Sequence, residues 1–266
     1  MFLAVRAGKS PTFRAVRFYA CARKPRKTLG FGEPTEADCR RVAGAVEAWY
    51  PGIRGAEALA EILTGKVNPT GKLAITFPKS DDDLPHPKLI TPPPESHLNF
   101  ATMGSDPAKF RALMAKGLPP FQVYYDEKLK VGYKWYDAEK KPVLFPFGFG
   151  LSYTTYAYSE LSVTSSEQLS VSFTVKNTGS RAGSEIAQVY TTLPEAAGEP
   201  PKRLIGWARA DLGPGESKQI TIPIPRDRMT IYDEATDASK LVPGSYTIMA
   251  GGSSQDLPLK HEVTLK

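Results

Sequence analysis

The chain of 266 residues is 41% hydrophobic and 23% charged, enough to bury one large core or two of ordinary size, and two are expected. Its net charge of +6 is a local feature: residues 1–32 hold eight basic residues, Arg6, Lys9, Arg14, Arg17, Arg23, Lys24, Arg26 and Lys27, and no acid, so residues 33–266 carry 26 basic against 28 acidic side chains, a net of −2. This balance excludes a nucleic-acid-binding surface for the folded part, and no run approaches the ~20 apolar residues that a bilayer span needs.

The basic leader, residues 1–44, lacks the apolar run of a secretory signal. Its Arg-rich, acid-free composition faintly resembles a transit peptide, but it reads as a solvated tail of unclear origin, and the compartment stays open. Cys21 and Cys39 have neither metal-knuckle spacing nor a disulfide pattern and read as plain thiols. From Thr35, "TEADCRRVAGAVEAWYPG" predicts a helix with Thr35 as N-cap and Val42, Ala45 and Val46 on one face, stopped by Pro51 and Gly52. A second helix is better marked: Ala56, Leu59, Ala60 and Leu63 repeat at helical spacing, and Gly65 stands where a left-handed C-terminal cap would go. "NPTG" at residues 68–71 is a turn feeding a short strand, "KLAITF", ended by Pro78. Residues 79–120 are too rich in proline for regular structure and form a long excursion with a short helix expected over 107–116; loops of this length in compact domains are usually functional or mobile.

After Tyr156 the period changes to two. In "EQLSVSFTVKNTG", Leu169, Val171, Phe173 and Val175 alternate with hydroxyl residues, and similar runs follow at "SEIAQVYTTL", "KRLIGWARADL", "KQITIPI", "GSYTIMAGG" and "LKHEVTLK", separated by turns such as "LGPGES" and "VPGS". Such punctuation without a cysteine pair predicts an immunoglobulin- or fibronectin-III-like sandwich of about 110 residues. The fold class expected is therefore an α/β remnant over 45–150, with a long proline-rich loop, followed by an all-β sandwich over 151–266. Between them lies "LFPFGFGLSYTTY", residues 144–156, whose aromatics would fill the seam while its glycines let the backbone turn sharply.

"AWYPGIRGAEALAEILTGKVNPTGKLAITFPKS", "YYDEKLKVGYKWYD" and "LFPFGFGLSYTTY", followed by "VKNTGSRAGSEIAQVY", "PKRLIGWARADLGPGES" and "VPGSYTIMAGGSSQDLPL", fall in the order found in glycoside hydrolase family 3, the β-glucosidase and β-xylosidase family. Over roughly residues 45–266 the chain resembles that family's C-terminal part, the end of its α/β sandwich domain plus its fibronectin type III-like domain. The resemblance implies a hydrolase of carbohydrate metabolism acting on O-glycosyl bonds, whose nucleophile and acid/base lie upstream of "AWYPG". Nothing in residues 1–47 resembles those regions, so the chain reads as a truncated homologue or fragment without the carboxylate pair about 5–5.5 Å apart that a retaining glycosidase needs. Arg54 and Ala56 stand where the family often has an acid and a second glycine, and Lys134 where an arginine is common.

Asp126 and Glu127, flanked by aromatics, are the acids first considered for saccharide binding, against the plainer alternative of loop acids paired with Lys128 or Lys130; Trp135 and Tyr136 complete the candidate substrate-binding set. Those two, with Trp49 and Tyr50, could stack on a sugar, although packing in the core and seam is the alternative for all four. His86 and His97 are too far apart for a helical metal pair, and His261 alternates with Leu259, Val263 and Leu265 as a structural histidine on the apolar side of the last strand. No metal and no cofactor are expected: "RAGKS" lacks the first glycine of a phosphate loop, where Leu3 stands, and "GFGEPT" the third of a dinucleotide fingerprint. Ser152 lies outside any nucleophile elbow, leaving an esterase as a remote alternative. The nearer alternative is a non-catalytic module that binds β-linked saccharides or proteins. Too few elements to cover a parallel sheet argue for association with another copy or with a barrel-bearing chain.

Overall fold

A computed structural model describes residues 2–5, 44–50, 52–86, 111, 124–165 and 168–266. Strands β1 (Phe2–Val5) and β2 (Gly44–Glu47) pair antiparallel, Phe2 opposite Glu47. The helix expected from Thr35 is thus corrected at its C-terminal end, where "GAVE" is satisfied by a partner strand instead of by its own turns; residues 35–43 lie outside the described residues. Trp49 and Tyr50, expected to pack, are exposed, Tyr50 at 94%.

Helix α1 (Gly55–Leu63) forms where the periodicity placed it and ends at Thr64, with Gly65 at φ +76°. Its buried edge is rotated from the expected stripe, because Ile62 is buried and Leu59 and Leu63 are half-buried while Ala56 and Ala60 face solvent. Alanine fits either side of a helix, so the large residues settle which edge turns inward. The predicted strand "KLAITF" is broken by a bend at Ala74 and Ile75. Leu73 exchanges backbone hydrogen bonds with the glycine-rich stretch (Leu73 N–H to Phe149 O and Gly148 N–H to Leu73 O, both 2.8 Å), and only Phe77–Pro78, β3, pairs as strand, with β4 (Val143–Phe145). Pro78 sits inside this short edge pairing rather than ending the strand ahead of it. One 3-10 turn, Asp81–Asp83, capped by the Ser80 hydroxyl, opens the proline-rich excursion; the helix expected over 107–116 falls outside the described residues apart from Arg111. Helix α2 (Tyr133–Ala138) leads into β4.

The sandwich is as expected. Strands β5 (Tyr156–Ser165), β6 (Leu169–Asn177) and β9 (Ser217–Ile224) form a three-stranded sheet, and β13 (Leu259–Leu265), β12 (Gly244–Gly251), β7 (Gly183–Thr191) and β8 (Arg203–Leu212) form a four-stranded one in that spatial order; a hairpin, β10 (Thr230–Asp233) and β11 (Ala238–Leu241), stands aside. Val171, Phe173 and Val175 of β6 pack with Val189, Ile205, Ile222, Ile224, Tyr246 and Ile248 in one core, the inward half of the alternation read from the sequence. β5 escapes that alternation because Glu160, at φ +60°, breaks its register with β6 between Ser159 and Ser162. His261 pairs with the buried Ile248, yet it is exposed because β13 is an edge strand. Among the described residues no helix is long and apolar enough to cross a membrane.

Candidate functional site

Two places concentrate functional groups: the segment 124–141 and the seam beneath it. Residues 124–130 form tight turns, with Lys128 N–H bonded to Tyr125 O at 3.1 Å and Lys130 N–H to Glu127 O at 2.9 Å, and Gly132 at φ +58° starts α2. Glu127 Oε2 lies 2.8 Å from His86 Nε2, and this hydrogen bond holds the Glu127 carboxyl below the usual carboxylate range. The Trp135 indole N–H donates to the Asp83 carbonyl at 2.9 Å, and the Lys141 ammonium lies 5.6 Å from its ring centroid. Glu127 and Trp135 are therefore both tied to the 80–86 turn. Asp126 is exposed and Tyr136 only 5% exposed, so these two do not share a surface. Neither acid pairs with Lys128 or Lys130 as the plain alternative had it: Glu127 meets His86, and Lys130 bridges to Glu139 at 2.7 Å.

On the opposite side of α2, Tyr133 stacks edge-on against Tyr190 at 5.8 Å and its hydroxyl accepts the Leu204 N–H at 2.8 Å. Burial pushes the Tyr133 phenol up and the neighbouring Lys134 ammonium down. Lys202 reaches Asp137 at 2.9 Å, and Arg203 reaches Glu199 at 2.6 Å. The aromatic-glycine stretch then fastens the α/β portion to the sandwich. Gln188 donates to Gly148 O at 3.0 Å and Gly252 O at 2.8 Å while accepting from the Tyr190 hydroxyl. A Cβ at Gly148, already at φ +79°, would lie 2.1 Å from Gln188 Oε1. Lys72 donates to both carboxylate oxygens of Glu185, at 2.9 and 3.2 Å, and Tyr158 donates to Oε1 at 2.7 Å. Burial, then Glu185, pushes the Tyr158 phenol up. Asn68 accepts from the Ser152 hydroxyl and the Tyr153 N–H, both at 2.8 Å, and donates to Ala182 O. Ser152, the remote esterase candidate, thus bonds an amide rather than an imidazole.

The sequence reading missed Lys72, Glu185, Gln188 and Tyr133. A signal existed for Glu185 alone, since it shares parity with the core residues Ala187 and Val189 and an acid at an inward position demands a partner. Among the described residues no group of three or more His, Cys, Asp or Glu is placed to hold a metal ion.

Residues 30–153 match the glycosyl hydrolase family 3 C-terminal domain and residues 185–254 the fibronectin type III-like domain. The chain is similar to β-glucosidase B of Emericella nidulans, 36% identical over 232 residues that cover 85% of this chain and 25% of the relative. It is also 36% identical to thermostable β-glucosidase B of Acetivibrio thermocellus over 239 residues, 87% of this chain and 28% of the relative. Its fold is similar to a solved β-glucosidase from Streptomyces venezuelae in complex with D-glucose, with a TM-score of 0.69 and 32% identity over 86% of this chain and 27% of that one. The chain spans about a quarter of the length of the curated relatives it matches.

Proposed function

We propose, for a chain that belongs to glycoside hydrolase family 3 and corresponds to the C-terminal portion of its β-glucosidases, that it serves β-glucoside hydrolysis as a scaffold and saccharide-contacting part, without supplying the nucleophile or the acid/base. The observation that carries this reading is what the carboxylates do. Glu127 is taken by His86, Glu185 by Lys72 and Tyr158, Asp137 by Lys202 and Glu199 by Arg203, each engaged by a basic side chain that holds it in place. A general acid must keep its proton near neutral pH, whereas the His86 bond holds the Glu127 carboxyl below its ordinary range, and the other three are tied into fixed contacts rather than free to approach a glycosidic oxygen. Glu127 and Trp135, tied together to the 80–86 turn, are the residues of the candidate set best arranged to meet a β-linked saccharide, with exposed Asp126 beside them; Tyr136 contributes by packing.

The same reading divides the chain into a basic leader to residue 44, the α/β portion over 45–150 and the sandwich from 151. It assigns the missing chemistry to a barrel-bearing partner, with self-association as the alternative cover for the remnant. Tyr125, Leu129 and Val131, all exposed large hydrophobics of the α/β portion, support such a cover. The test is hydrolysis of a panel of aryl β-glycosides and short acyl esters by the purified chain, beside Asp126→Ala and Glu127→Ala. No turnover is expected; turnover abolished by either substitution overturns the proposal. A strictly monomeric sedimentation profile at micromolar concentration would refute self-association.

A further inference from the structure

The sandwich exposes two large hydrophobic side chains among its described residues, Tyr232 on the β10–β11 hairpin and Trp207 on β8, the latter at 59%. β8 is one of the two edge strands of the four-stranded sheet; Ile205 is the extra, inward residue of the bulge opposite Val189 and Tyr190, and beyond it Gly206, Ala208, Ala210 and Leu212 face the core. Trp207, Arg209 and Asp211 alternate with them and so stand on the outer face, ~6.7 Å apart along the strand. Their register partners on β7 are Gln188, Ile186 and Ser184.

The polar half of this row is built in advance. Arg209 Nε donates to Asp211 Oδ1 at 2.9 Å, its terminal nitrogen donates to Ser184 Oγ at 3.0 Å, and the Ser184 hydroxyl donates to the same Asp211 oxygen. Ser184 is buried, and Gln188, the neighbour of Trp207, is fixed by its bonds to Gly148 and Gly252. Two N–H groups of the guanidinium are engaged in the cluster; the rest of its planar fork has no partner among the described residues. A flat apolar face thus stands one repeat from a rigid planar donor set and a carboxylate acceptor, on strands held by a core. Rigid placement of this kind lowers the ordering cost of binding.

We propose that the Trp207–Arg209–Asp211 row on β8 is a saccharide-binding platform, taking the C–H face of a pyranose on the indole and its neighbouring hydroxyls on the Arg209–Asp211 pair. A protein partner would also favour Trp and Arg, but it needs about 800 Å² of surface on each side. Here the outer neighbours of the row on β7 are Ser184, half-buried Ile186 and Gln188, and the apolar outer residues farther in, Tyr190 and Met249, are already buried, which leaves too little exposed apolar surface around one tryptophan for such an interface. The ligand that fits is small and hydroxyl-rich. This inference concerns a different surface from segment 124–141 and stands whether or not that segment meets substrate.

The experiment titrates the full chain with cellotetraose and with laminaritetraose by calorimetry and intrinsic fluorescence. Trp207→Ala, Arg209→Ala and, as the control at the sandwich's other exposed aromatic, Tyr232→Ala are run in parallel, with circular dichroism confirming the fold of each. The expected result is measurable binding that weakens about tenfold or more in Trp207→Ala, the scale of losing one aromatic contact, and falls likewise in Arg209→Ala while Tyr232→Ala retains it. Absence of binding by the unaltered chain overturns the proposal, as does affinity unchanged in Trp207→Ala. A fall in sedimentation mass in Trp207→Ala with saccharide binding intact also overturns it and assigns the row to a second copy of the chain.

Discussion

The Lys72–Glu185 pair offers a direct test of how the two parts of the molecule are joined. The side chains are 13% and 6% exposed, and Lys72 arrives from the turn after α1, 113 residues away from its partner in the chain. Lys72→Met keeps the aliphatic stem and removes the charge, leaving the Glu185 carboxylate in a buried site with the Tyr158 hydroxyl as its remaining donor. Removing one partner of a buried pair costs about 3–5 kcal/mol, and the surviving Tyr158 bond places the expectation near the lower figure, ~3 kcal/mol. For a unit of this size each kcal/mol moves Tm by about 2–4 °C, so a fall of roughly 6–12 °C is expected. Glu185→Gln should cost a similar amount, because it strands the ammonium instead. The double variant, Lys72→Met with Glu185→Gln, strands neither charge and should be no worse than either single change, giving a coupling energy of about 3 kcal/mol or more. The assay is urea and thermal unfolding followed by circular dichroism across the four proteins. Single changes each below ~0.5 kcal/mol that simply add would refute the reasoning, since exposed pairs behave that way and buried ones do not.

Three further outcomes follow from the same geometry. Gly148→Ala should destabilise by at least ~1–3 kcal/mol in equilibrium unfolding, because its φ of +79° is unfavourable for a side chain and the new Cβ would meet Gln188 Oε1. Tyr133→Phe keeps the ring against Tyr190 but removes the acceptor of the Leu204 N–H, and denaturant melts should show a loss of about 1–2 kcal/mol. The His86–Glu127 contact should depend on pH in one direction. Because the folded Glu127 carboxyl titrates below its ordinary value of 4.5, the contribution of its ionised form is present above that value and is lost as pH falls through the lowered folded value. Hydrogen exchange of residues 124–131 should rise over that acid range in the unaltered chain and be insensitive to it in Glu127→Gln.

The parts legible in the sequence are those whose signal is local. The inward alternation of Leu169, Val171, Phe173 and Val175 depends only on period two, and it predicted β6 and with it the sandwich. Helix α1 was legible in its span but not in its buried edge, since Ala56 and Ala60 fit both stripe and surface while Ile62, outside the expected stripe, carries the contact. Residues 44–47 read as helix because their pairing partner, Phe2–Val5, lies forty residues upstream and leaves no mark on local periodicity. His261 was placed inward by parity alone, and parity cannot say that its strand lies at an edge.

The seam was visible in composition and opaque in mechanism. Aromatics and glycines crowded over residues 144–156 announced a joint, and Phe145 and Phe149 do pack there with Leu73 and Phe77. What fixes the joint is a set of pairs separated by 40 to 113 residues, Gln188 with Gly148 and Lys72 with Glu185, and no window along the chain contains both members of either. Each pair is nevertheless a consequence of burial. A glutamate and a glutamine set on a strand among buried neighbours must find donors or acceptors, and the α/β portion supplies them. That is why the remnant and the sandwich hold one another in place: the sandwich buries polar groups of β7 that Tyr158, Tyr190 and Gly252 satisfy only in part, and the remnant completes them with the Lys72 ammonium and the Gly148 carbonyl.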